Sequence, residues 1–86
     1  MDADDFYKTQ ARELIKSILR DKDIPYWKLA EKLAEQGVDI DVQVLINRVN
    51  RGNFKFAFAL QLLAALDVDT LEVPRPPQPV RQKQVL

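Results

Sequence analysis

The 86-residue chain contains no cysteine and no histidine. Their absence excludes zinc fingers, thiol nucleophiles, imidazole acid–base chemistry and any disulfide framework. An excess of charge of either sign is also missing. Thirteen cations balance thirteen anions, which weighs against a dedicated, strongly basic nucleic-acid binder. Long hydrophobic runs are missing too: the longest, Ala57 to Leu66, is interrupted by Gln61 and is far too short to span a bilayer. The first residues include Asp2, Asp4 and Asp5, where a secretory leader would be basic, so a cytoplasmic protein is expected.

What is present fits one small domain. Apolar residues make up 47 % and charged residues 30 %, ordinary values for a globular chain with one core. The neutral total conceals a local asymmetry. Between Gln43 and Lys55 there are three cations, Arg48, Arg51 and Lys55, and no anion.

Periodicity predicts helices throughout. Ala11, Leu14, Ile15, Ile18 and Leu19 recur at helical spacing, predicting a first helix from about Phe6 to Lys22, capped by Asp4 or Asp5. Pro25 suits the first position of a second helix that runs to about Gln36 and is stopped by Gly37. A third helix is expected after Asp41, with Asp39 or Asp41 as its cap and Gly52 closing it. A fourth, about Phe54 to Leu66, is apolar almost all round and must be buried on most faces. Leu71-Glu72-Val73 can add a short extended piece. The carboxylate pairs Asp39/Asp41 and Asp67/Asp69 sit at helix boundaries and read as caps. No enzyme activity, cofactor or metal site is expected from them.

Ile24 to Phe54 therefore has the shape of a helix-turn-helix, one helix bracing a second that shows its outer face to a partner. On a wheel at ~100° per residue, Val42, Leu45, Ile46 and Val49 of the third helix fill one arc, which must face the core. Gln43, Val44, Asn47, Arg48 and Arg51 lie opposite. Asn and Gln can pair with adenine, Arg with guanine, and a Val methyl packs against the thymine methyl. Gln43, Val44, Asn47 and Arg48 are thus the candidate base contacts. Trp27 reads as core or packing lid.

Leu29-Ala30, Val49-Asn50-Arg51-Gly52 and Leu63-Ala64-Ala65-Leu66 together resemble the phage-repressor (xenobiotic-response-element type) helix-turn-helix. The closer similarity is to a small bacterial domain family without assigned function. Its pattern is matched by Tyr26 to Leu33, by Gly37-Val38, by Asn47 to Gly52 and by Phe54 to Leu66. The resemblance covers about Leu14 to Val73. It implies a repressor-like fold and double-stranded DNA as the partner. At the start of the bracing helix it implies phosphate contacts from Tyr26 and Lys28, to which Arg51 and Lys55 can add from beyond the reading helix. Two departures stand out. The link between the two helices is about six residues longer than in a phage-repressor unit, and the family's outer-face positions tend to be more polar than Val42, Val44 and Ile46.

The expected architecture is all-α, with four to five short helices including the helix-turn-helix. Residues 1–5 are expected to be disordered, 6–73 to form the domain and 74–86 a flexible, basic, Pro-rich tail. The expected function is a small DNA-binding transcriptional regulator. The alternative is a protein–protein interaction module, an adaptor or antitoxin-like partner, on the same scaffold. The surplus apolar face of the fourth helix predicts a homodimer, with Phe56 and Phe58 as contacts. Pro76 to Arg81 formally satisfies a PxxPxR ligand for SH3-type grooves.

Overall fold

A computed structural model describes residues 2–76 of the chain, and within them it is all-helical, with four helices and no strand. Helix α1 spans Ala3–Lys22, α2 Tyr26–Glu35, α3 Val42–Arg51 and α4 Phe56–Ala65. The Pro-rich segment beyond Pro76, including most of the PxxPxR match, lies outside the described residues.

Helix α1 begins earlier than its periodicity suggests. The Asp2 carboxylate accepts from the Asp5 amide at 2.8 Å and caps the helix. Residues 3–5, expected to be disordered, form its first turn, and Ala3 is buried. Asp4 is used differently, in an ion pair with Lys8 one turn on (2.9 Å). That carboxylate raises the Lys8 ammonium above its ordinary pKa.

The other ends are set by local chemistry. Pro25 is the N-cap of α2, one position before the place expected for it, and offers no side-chain acceptor. Helix α2 ends at Gln36 and Gly37, with φ +86° at the glycine and the Val38 amide donating to the Leu33 carbonyl at 2.9 Å. Asp41 caps α3 by accepting from the Gln43 and Val44 amides (3.0 and 3.4 Å). The link between α2 and α3 is residues 36–41. It exceeds the ordinary helix-turn-helix turn by only about two to three residues, less than the sequence suggested. Asp23 and Asp67 both take the left-handed conformation, φ +56° and +57°, where α1 and α4 end.

The core draws on every helix: Ile15 and Leu19 of α1, Leu29 and Leu33 of α2, Leu45 and Val49 of α3, Phe58 and Leu62 of α4, with Ala65 and Leu66. Helix α3 packs against both α1 and α2, and α2 also packs against α4. Each fully buried leucine removes on the order of 2 kcal/mol worth of apolar surface from water. The central members, Leu29, Leu33, Leu45, Val49 and Leu62, have no solvent exposure. No helix among the described residues is long and apolar enough to cross a membrane.

Candidate nucleic-acid interface

The wheel of α3 is in phase with its surroundings. Leu45 and Val49 are sealed in the core, and Val42 and Ile46 flank them half-buried. Gln43, Val44, Asn47, Arg48 and Arg51 are all exposed on the other side. Two anchors hold the helix in this rotation: the Asp41 cap at one end and buried Gly52 at the other, in the left-handed region at φ +63°.

The outer side chains are partly organised by one another. Gln43 Nε2 donates to Asn47 Oδ1 at 3.2 Å, one turn along the helix. This leaves the Gln43 carbonyl and the Asn47 amide hydrogens free toward solvent, one acceptor and one donor group side by side. The Arg48 guanidinium lies over the ring of Phe58, 5.1 Å from its centre. That cation–π contact draws Arg48 toward α4.

Arg48, Arg51, Asn53, Lys55, Phe58 and Gln61 are among the residues lining a cavity of about 390 Å³ at the junction of α3 and α4, and no carboxylate of the described residues lines it. The edge-to-face pair Phe54–Phe58, with centroids 6.0 Å apart, forms its apolar side. Three cations around one hollow, with no counter-ion among the described residues, make a field that attracts an anion. Asn53 and Gln61 were not singled out in the sequence. The available signal for Asn53 was its place in the short Arg51–Lys55 loop. For Gln61 it was its status as the one polar residue within α4.

The start of α2 does not behave as the resemblance implies. The Tyr26 hydroxyl is buried and has no hydrogen-bond partner among the described residues. Burial, and secondarily the Glu13 carboxylate, pushes its pKa above the ordinary value. A phenol turned into the protein cannot touch a phosphate, so Tyr26 is withdrawn as a contact. The hollow it lines is a different one, with Lys16, Arg20, Asp23 and Pro25. Lys28 is exposed, with its ammonium 5.8 Å from the centre of the Trp27 ring. Trp27 is itself 56 % exposed, so it is not the core residue that its sequence position suggested.

The two phenylalanines expected at a dimer contact separate. Phe58 belongs to the core beneath Arg48, and its burial takes it out of a contact with a second copy. Phe56 is 77 % exposed. Of the eight expected DNA contacts, the structure brings Arg48, Arg51 and Lys55 together around one hollow and sets Gln43, Val44 and Asn47 along the adjoining face of α3.

Residues 7–71 match the model of a domain of unknown function (DUF6471). The chain belongs to this family. Neither a curated protein nor a solved structure matches it significantly. The matched segment takes in all of α2, α3 and α4 and all of α1 beyond Phe6, so the core and the cation-lined hollow are parts of the DUF6471 domain.

Proposed function

We propose that this DUF6471 domain binds double-stranded DNA through α3 and acts as a small transcriptional regulator. The observation that carries the reading is the hollow shared by Arg48, Arg51 and Lys55, free of carboxylates among the described residues and adjoining the exposed Gln43–Asn47 face. In this reading α3 lies in the major groove. Gln43, Val44, Asn47 and Arg48 meet base edges, while Arg51, Lys55 and the more distant Lys28 hold phosphates. The zero net charge makes the local cluster, rather than a general basic field, responsible for attraction.

Fluorescence anisotropy of the full chain against random duplex DNA at two salt concentrations tests this. Three cations on the backbone give a log–log salt slope of roughly −2.5 to −3, and removing one of them shallows it by about 1. No binding at ~50 mM salt and tens of micromolar protein, where even non-specific contacts register, refutes it. One observation supports a rival reading as a protein-interaction module: Val44, in the middle of the outer face, is apolar and 43 % exposed. Under that reading Val44→Ala abolishes capture of a protein partner and duplex DNA never competes.

A further inference from the structure

Helix α4, FAFALQLLAA, contains no charged residue. Its two sides are nonetheless distinct. Phe58, Leu62 and Ala65 are buried, and Ala59 and Leu63 flank them half-buried. The opposite arc carries Phe56, Leu60 and Ala64 in one row, bordered by Ala57 and Gln61, all exposed. Phe56 and Leu60 are the most exposed large apolar side chains on it, at 77 % and 52 %.

We propose that this row pairs with the same row of a second copy of the chain, antiparallel, about a twofold axis passing beside Leu60. The order of side-chain sizes points to that partner. Phe56 and Ala64 are equidistant from Leu60, one turn to either side. The twofold therefore sets the Phe56 ring of one copy over the Ala64 methyl of the other, at both ends, with the two Leu60 side chains meeting between them. Large opposes small at both ends and the two leucines fill the middle, as close packing requires. The small Ala57 and Ala64 let the two helices approach, and antiparallel pairing sets their macrodipoles against each other. A partner with a charged face finds no counter-charge on α4, whereas an identical face needs none.

The contact is small. Phe56, Leu60, Ala57 and Ala64 expose on the order of 300 Å² per copy, so these side chains bury roughly 600 Å² in the pair, below the standard size of a specific interface. Association through so small a surface is accordingly weak. The inference uses none of the residues assigned to bases or phosphates and stands or falls apart from the DNA reading.

Sedimentation equilibrium of the full chain, without DNA, from ~10 to 500 µM is the test. The mass rises from 9.9 kDa toward twice that value. Leu60→Glu places two like charges at the axis and weakens association at least ~10-fold. Phe56→Ala leaves a gap and Ala64→Phe sets ring against ring, so each alone weakens it. The double variant Phe56→Ala/Ala64→Phe restores large opposite small and recovers most of the loss, a coupling that only an antiparallel self-pairing produces. Circular dichroism accompanies each variant, and Phe56→Ala, at the most exposed position, retains the fold. A constant mass of 9.9 kDa across the range overturns the proposal. So does a Leu60→Glu chain that associates as well as the wild type, or a double variant no better than its parents.

Discussion

Gly52, at the C-terminal end of α3, lies directly against the backbone of Lys8 in α1. A Cβ at Gly52 would overlap the Lys8 carbonyl oxygen and come within 2.8 Å of the carbonyl carbon. Two independent demands thus meet at one residue: a left-handed φ of +63° and a close approach between two helices. Because α1 packs on α3, this contact also sets where Arg51 begins and how α3 is rotated. Gly52→Ala is expected to cost about 2–5 kcal/mol, more than the left-handed conformation alone would account for. Urea denaturation of the two chains measures the difference.

The two sides of α3 should respond to truncation in opposite ways. Leu45→Ala opens a cavity in a fully enclosed site and is expected to cost ~2–5 kcal/mol in stability. Asn47→Ala removes only a solvent-exposed hydrogen bond to Gln43, a loss of no more than about 0.5 kcal/mol. Arg48→Ala forfeits its stacking on Phe58, worth about 0.5–1 kcal/mol at such a site. If DNA is the partner, both polar changes weaken or relax binding by ~1–3 kcal/mol. Paired melts and duplex titrations separate the effects.

Tyr26→Phe is expected to stabilise the domain. The hydroxyl is buried without a partner among the described residues, and removing such a group recovers a desolvation cost of about 1 kcal/mol. For a domain of this size that is a rise in Tm of roughly 4–8 °C.

The same burial makes stability fall in alkali. The Tyr26 phenol holds its proton more tightly in the folded chain than in the unfolded one, whose value is near 10.0. Its protonated form is therefore favoured by folding. That contribution is complete below the unfolded pKa and is lost as pH rises through the folded one. Unfolding free energy measured from pH ~8 to 11 should decline more steeply for the wild type than for Tyr26→Phe.

Asp23 and Asp67 adopt left-handed backbone conformations that glycine takes without strain. Asp23→Gly and Asp67→Gly are each expected to stabilise by about 0.5–1 kcal/mol. Thermal melts of the single and double variants check this. The effects should add, because the sites terminate different helices.

Patterning alone laid out the four helices, the rotation of α3 and the two glycine ends. Each of these depends on interactions within a few residues: a helical repeat of apolar side chains, an aspartate reaching the amides two and three residues ahead, a glycine entering the left-handed region. Tertiary packing decided what local pattern could not. Tyr26 and Phe58 are aromatic residues that sequence alone offers equally to surface or core. The tyrosine hydroxyl is turned inward and the second phenylalanine slides beneath Arg48, because neighbouring helices cover those positions. Phe56, two residues from Phe58, is left in water because α4 is packed from one side only. The convergence of Arg48, Arg51 and Lys55 likewise follows from the bend at Gly52, and the burial of that glycine reflects a backbone more than forty positions away in sequence. A helix's own sequence states which residues are apolar. Only its neighbours determine how many of them escape water.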